Sequence, residues 1–229
     1  MKGIFITGTD TDVGKTVVTG LLGKFLLSSG YKTITQKWVQ TGNASDINSH
    51  IKIMGKTLKD MKKHSHLMCP YHFSLPASPH LACRLENKPV RKEEIKKSFK
   101  TLKKEFDFVI VESTGGVLVP LSKSLLMIDV AKEMTLPVIL VAANKVGAVN
   151  HTLLAVEALK KRKITILGII FNNCEKGVDT SVLADNPEIT QKISGEKILG
   201  VLPYTKDKNS LYRAFMPAGD KILLQIKKT

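Results

Sequence analysis

Six short runs of apolar, β-prone residues punctuate the chain: Ile4–Thr7, Thr33–Val39, Phe106–Glu112, Val138–Ala142, Ile166–Phe171 and Ile198–Leu202. They read as continuous apolar stretches rather than as strict alternation, as strands covered on both faces do. Helix-like segments lie between most of them. Val17–Leu26 follows the first run, and Asn150–Lys161 mixes Leu153, Leu154, Val156, Ala158 and Leu159 with Glu157, Lys160 and Lys161. In Arg91–Lys104 the apolar residues Ile95, Phe99 and Leu102, continued by Phe106, recur at helical spacing, which puts the many lysines on the wet face. Alternating β and α elements predict an α/β fold: one domain over residues 1–229, with a mostly parallel central sheet and helices on both faces. Ligands in such sheets sit at the carboxyl ends of strands, so the chemistry is to be sought at each strand's exit.

The first exit carries the strongest signal. Residues 8–16 read Gly-Thr-Asp-Thr-Asp-Val-Gly-Lys-Thr and fit G-x-x-x-x-G-K-[ST], placed between a strand and a helix. This is the phosphate loop of a P-loop NTPase-like fold. Its glycines allow a tight turn that points backbone N–H groups at a phosphate, and the new helix adds its positive end. Lys15 is suited to the β/γ oxygens and the Thr16 hydroxyl to Mg²⁺. A purine nucleoside triphosphate is the expected ligand.

Other exits add candidate chemistry. Lys37, near the end of the second run and followed by Thr41-Gly42, either stabilises charge on a transferring phosphoryl group or is an edge lysine whose stem covers apolar surface. The third run closes on Glu112 before Ser113-Thr114-Gly115-Gly116, and a strand-end carboxylate is the usual second half of a phosphate-loop site. Asp46 reads by default as a helix N-cap, or else as a third oxygen ligand for Mg²⁺. Asn172 and Asn173 end the fifth run, where an amide pairs with a base edge or simply forms a turn. Lys145–His151 begins a helix whose first N–H groups suit a carboxylate, and Asn150 is also a good cap.

Composition narrows the setting. The chain of 229 residues carries a formal charge of +15, but no aromatic residues interleave with the lysine run to stack bases. A solvated helix face is therefore expected, without nucleic-acid binding. No apolar stretch approaches the ~18 residues of a membrane span. The first run begins too close to Met1 for a signal peptide. Cys69, Cys83 and Cys174 are odd in number and widely spaced, which fits a reducing cytoplasm rather than a disulfide framework or zinc site. His64 and His66 are expected to be surface residues.

Together these pieces resemble the dethiobiotin synthetases. The resemblance rests on Gly8–Thr16, Lys37 with Thr41-Gly42, Ser78-Pro79-His80, Glu112 with Gly115-Gly116, Pro137–Val141, Gly147–His151 and Gly200–Pro203. It implies an ATP- and Mg²⁺-dependent ligase of biotin biosynthesis that joins CO2 to the vicinal amines of 7,8-diaminononanoate. The route runs through a carbamate and a carbamic–phosphoric anhydride and releases ADP and phosphate. By resemblance, Thr11, Asp12, Lys15 and Lys37 serve catalysis. Asp12, Val13, Gly14, Lys15, Thr16, Val17, Glu112, Asn172 and Pro203 contact nucleotide. Thr11, Lys37, Thr41, Gly115 and Gly147, Ala148, Val149 and Asn150 contact the diamine. Thr16, Asp46 and Glu112 hold the metal. It also implies a homodimer, with the site at the subunit interface and the Gly147–Asn150 helix start receiving a carboxylate across it.

Three departures stand out. Position 12 is Asp, where many relatives have Glu, and residues 113–114 are Ser-Thr, where Gly-Ala is usual. After Pro203 the chain reads Tyr204-Thr205-Lys206-Asp207-Lys208-Asn209-Ser210, basic where an acidic, proline-containing loop is common. Weaker discrimination among nucleoside triphosphates is the expectation. Two rivals share the loop: a ParA/MinD-like partitioning ATPase, and the nucleotide domain of an amidating synthetase. The partitioning ATPases usually carry a further lysine early in the loop, where Thr9 and Asp10 stand here.

Overall fold

The computed structural model describes residues 3–43 and 45–227. Its elements run β1 (Gly3–Gly8), α1 (Lys15–Ser28), β2 (Thr33–Lys37), β3 (Val39–Thr41), α2 (Asp46–Ile53), α3 (Leu58–Met61), a 3₁₀ turn (Lys62–His64), α4 (Ser65–Met68) and β4 (Tyr71–Phe73). They continue with α5 (Pro79–Leu85), α6 (Lys92–Glu105), β5 (Phe108–Gly116), α7 (Met127–Glu133), β6 (Val138–Ala143), α8 (Ala148–Lys161), β7 (Ile166–Asn172), α9 (Thr180–Ser194), β8 (Ile198–Leu202) and α10 (Lys208–Lys227).

Six strands form one sheet in the order β2-β5-β1-β6-β7-β8, and every pairing is parallel. Successive residues along each strand face opposite layers. Phe5, Val109, Val111 and Leu140 point to one buried cluster, which α6, α7 and α8 close with Phe99, Ile128 and Leu159. Ile4, Ile6, Ile110, Ile139 and Val141 point to the other, which α1 and α10 close with Leu22, Phe25, Phe215 and Ile222. This double coverage explains why the strands read as unbroken apolar runs.

The second run departs from the expected single strand. It breaks at Trp38, so that β2 stays in the main sheet while β3 pairs with β4 in a separate two-stranded sheet. Trp38 is fully buried, with its ring 5.1 Å from Phe5 and its indole N–H donating to Gln36. Filling the core with that side chain turns the chain out of the main sheet. The third strand begins later and ends later than predicted: Phe106 follows α6 as its extended C-cap, and β5 runs on to Gly116 through the expected glycine turn. The lysine-rich helix starts at Lys92 rather than Arg91, which is its N-cap. His64 is not a free surface residue. Its ring meets Phe106 edge-on and its Nε2 lies 3.1 Å from Glu105. Among the described residues no helix is long and apolar enough to cross a membrane.

Candidate functional site

The phosphate loop leaves β1 at Gly8 and becomes α1 at Lys15. Gly14 caps that helix with φ 99°, in the left-handed region, and a Cβ there would collide with the Asn172 amide. Both the backbone and the neighbour therefore demand glycine. Asp12 is also left-handed, at φ 56°, a conformation that Asp tolerates better than most residues. No side chain caps α1, which leaves its first-turn N–H groups for an anion. Lys15 is buried, and its Nζ donates to the Asp10 carbonyl at 2.6 Å. Burial, aided by the charge of Lys37, pulls the Lys15 ammonium down to about 8.

Beside the loop, β2 ends at Lys37, which lies opposite Glu112 of β5 on one rung of the sheet. Lys37 Nζ lies 2.7 Å from Glu112 Oε1 and 2.8 Å from both the Ser113 carbonyl and Asp46 Oδ2. The edge-lysine reading is thereby set aside. β2 is an edge strand, but its terminal ammonium is buried among acids. Burial alone would lower Lys37; Glu112 and Asp46 outweigh it and hold the ammonium above its ordinary value. Burial likewise opposes the charge on Glu112, but Lys37 and a hydrogen bond from His50 prevail and hold the carboxyl at about 2. Thr16 Oγ1 donates to the same Oε1 at 3.0 Å. These are oxygen donors of the hard kind that Mg²⁺ prefers, gathered at the mouth of the phosphate loop, and they fit that ion.

Asp46 is not a cap. Ser45 caps α2 by accepting from the Asn48 N–H, which makes Asp46 the first helical residue and turns its carboxylate toward Lys37. Asn150 is not a cap either: Gly147, at φ 86°, precedes α8, and Asn150 lies exposed in the first turn.

A cavity of about 390 Å³ is lined by Thr11, Asp12, Gly14, Lys15, Thr16, Lys37, Gln40, Thr41, Asp46, Glu112, Thr114 and Gly115. Ten of these were expected from the sequence, and Gln40 and Thr114 join them. Thr114 hydrogen-bonds the Val39 carbonyl, and Ser113 donates to Thr7 Oγ1, so the Ser-Thr departure ties β5 to its neighbours. Other expected residues lie elsewhere. Ala148 lines a smaller cleft of about 200 Å³ with Val13, Lys145, His151 and Cys174. Gly147, Val149 and Asn150 line neither, and Pro203 is exposed. Asn172 donates to the Val13 carbonyl at 3.1 Å and so braces the loop. Val17 lines a third pocket of about 330 Å³ with Lys24, Lys52 and residues of the segment after Pro203.

The sequence reading missed His50. It is fully buried on α2, with Nε2 2.6 Å from Glu112 Oε2. The available signal was its spacing: four residues after Asp46, it shares a helix face with that acid.

A family model described as an AAA domain matches residues 2–210. The ATP-dependent dethiobiotin synthetase BioD of Chlorobaculum tepidum is 40% identical over 194 residues, covering 82% of this chain and 80% of that protein. The protein of the same name from Thermodesulfovibrio yellowstonii is 37% identical over 217 residues, covering 90% of each chain. Among solved structures, the septum site-determining protein MinD of Pyrococcus horikoshii, complexed with Mg-ADP, superposes with a TM-score of 0.61. It is 19% identical, over 99% of this chain and 98% of that one. The pNOB8 ParA bound to nonspecific DNA reaches 0.63 at 12% identity, over 99% of each. These two likenesses are of fold alone. Its sequence, spanning most of each curated relative, decides between the readings: the chain belongs to the dethiobiotin synthetase family.

Proposed function

We propose that this protein is an ATP-dependent dethiobiotin synthetase, a ligase that closes a cyclic urea from 7,8-diaminononanoate and CO2. The observation that carries the reading is the convergence of Lys15, Thr16, Lys37, Asp46 and Glu112 with Thr11, Thr41 and Gly115 on one cavity. The first five suit a triphosphate together with its Mg²⁺, the lysines for the phosphate oxygens and the hydroxyl and carboxylates for the metal. The last three leave room and hydrogen-bonding groups for a second, small polar reactant.

Phosphoryl transfer asks for positioning and charge stabilisation more than for covalent help. Lys15 is held by the Asp10 carbonyl, so an entering phosphate oxygen exchanges for that contact. Lys37 has its three donors on Glu112, Asp46 and the Ser113 carbonyl, and turning one toward a transferring phosphoryl means loosening a carboxylate. Thr16, Glu112 and Asp46 are the residues that would hold Mg²⁺. When bound, that ion supplies neutralising charge to the phosphate oxygens. Thr11 and Thr41 offer hydroxyls to the carbamate formed when one amine takes up CO2. Attack by the second amine requires its neutral form, which the nearby ammonium groups favour.

The base is read in the Val17 pocket, where Lys206 and Lys208 of the basic segment after Pro203 face Lys24 and Lys52. The α8 start at Gly147–Asn150 receives the carboxylate of a diamine held by a second copy in a homodimer. The exposure of Gly147 and Asn150, with Val146 82% exposed beside them, supports that assignment.

The test is product mass after incubation with MgATP, bicarbonate and 7,8-diaminononanoate. Dethiobiotin formed in step with ADP is expected. ADP release indifferent to the diamine, or stimulated by DNA or lipid instead, would overturn the reading in favour of a partitioning ATPase.

A further inference from the structure

We propose that His50 is a positioning residue for the metal-binding carboxylate: it holds Glu112 Oε2 so that Oε1 alone faces Thr16, Lys37 and the divalent cation. The inference rests on the reading of Glu112 as a metal ligand.

The two oxygens of Glu112 have separate partners. Oε1 accepts from Thr16 at 3.0 Å and from Lys37 at 2.7 Å. Oε2 meets His50 Nε2 at 2.6 Å. A carboxylate accepts only, so the imidazole must present N–H at Nε2. Its Nδ1 is buried without a hydrogen-bond partner among the described residues, which agrees with the proton being on Nε2 and a bare lone pair on Nδ1. His50 and Glu112 are at most 1% exposed, so water does not compete for the bond.

The consequence concerns geometry at the metal. Mg²⁺ demands near-octahedral ligation and gains from a carboxylate that offers one oxygen in a fixed direction. Without a donor on Oε2, the Glu112 carboxylate is free to rotate about its last bond and present both oxygens to Lys37. Partners that orient a ligating group from behind typically contribute roughly 10–100-fold in metal affinity. Asp46, the other acid of the set, leaves the same helix one turn earlier, so α2 delivers a ligand and the brace for a ligand together.

Replacements that differ only in reach isolate this role. The amide of His50→Gln ends close to where Nε2 lies, whereas that of His50→Asn ends near Nδ1 and falls short of Glu112. His50→Leu fills the space without a donor. Mn²⁺ affinity in the presence of ADP is measured by electron paramagnetic resonance on the purified full-length variants, with Glu112→Gln as reference.

We expect His50→Asn and His50→Leu to weaken Mn²⁺ binding by about 10-fold or more, and His50→Gln to stay within about threefold of the parent. Should Leu prove too disruptive to fold, the Gln and Asn pair carries the comparison, since both are polar and differ by one methylene. If Asn or Leu binds Mn²⁺ like the parent while Glu112→Gln does not, the inference fails alone. If Glu112→Gln also binds like the parent, the metal reading of Glu112 fails and takes the inference with it. Equal losses in Gln and Asn would show that the ring's shape, rather than its donor, matters, and would also overturn the proposal.

Discussion

The phosphate end of the cleft and the pocket beside Val17 are made of different materials. At the phosphate end, Lys37 and Glu112 are buried, and each is held by several named partners. Around Val17 the lining is aliphatic surface and long lysines, with segment 205–211 on one side. The acid in that segment, Asp207, is already engaged. It accepts from the backbone N–H groups of Asn209 and Ser210 and from the Ser210 hydroxyl, so it caps the start of α10. One end is fixed by mutual constraint among charges, while the other offers mostly exposed cations and backbone. Chemistry at the phosphates should tolerate almost no change, whereas recognition of the base should be broad.

Lys15→Ala breaks the constrained end most directly. Turnover should fall by about 10³-fold or more, as removal of a transition-state cation does. Because the ammonium is buried at a cost, the melting temperature should hold or rise; steady-state assay with calorimetry checks both. Lys37→Gln should lower kcat by about 10²-fold while changing the KM for ATP far less, because it acts on developing charge. Equal loss in both parameters would make Lys37 a binding residue. Glu112→Gln should shift the Mg²⁺ titration of activity upward by roughly tenfold, and an unmoved curve would return Glu112 to a purely structural role.

A pH experiment sharpens the contrast. Burial holds the Lys15 ammonium of the free protein down at about 8, below the 10.5 of an ordinary lysine. Between those values the unfolded chain binds the extra proton, so this group makes the free protein more stable as pH rises from about 8 to about 10.5. Nucleotide phosphate favours the charged form, so ADP affinity should fall over the same rise, by up to tenfold per unit, with proton uptake on binding. Calorimetry in buffers of different ionisation enthalpy, with Lys15→Ala as reference, measures it. The smallest effect is expected at the loose end: turnover with GTP and CTP should stay within about tenfold of that with ATP, the span of a single hydrogen bond or so. Strict ATP preference would show that the lysine-lined pocket discriminates among bases after all.

The sequence made the phosphate loop, the parallel sheet and the acid closing the apolar run of β5 legible because each is a local pattern with a local cause. Glycine spacing, unbroken apolar runs and a carboxylate closing one of those runs need no knowledge of distant residues. Trp38 was opaque for the opposite reason. In the run Thr33–Val39 it looks like one more strand residue, and only its contact with Phe5 and the pairing of β3 with β4 reveal the break. His50 was hidden in the same way, since its partner is 62 residues away. The helix starts at Asp46 and near Asn150 were misjudged because Ser45 and Gly147, one and three residues earlier, took the capping positions.

Lys37 and Glu112 share a rung with Ile6 of the central strand. Moving the lysine to position 36 or 38 would send it through the sheet to the α6 layer, where Gln36 now meets Ser98. Insertions and deletions can therefore accumulate in the connections between strands, but not along these three. An evolving descendant of this protein is free to exchange what it recognises and is barred from relocating where it reacts.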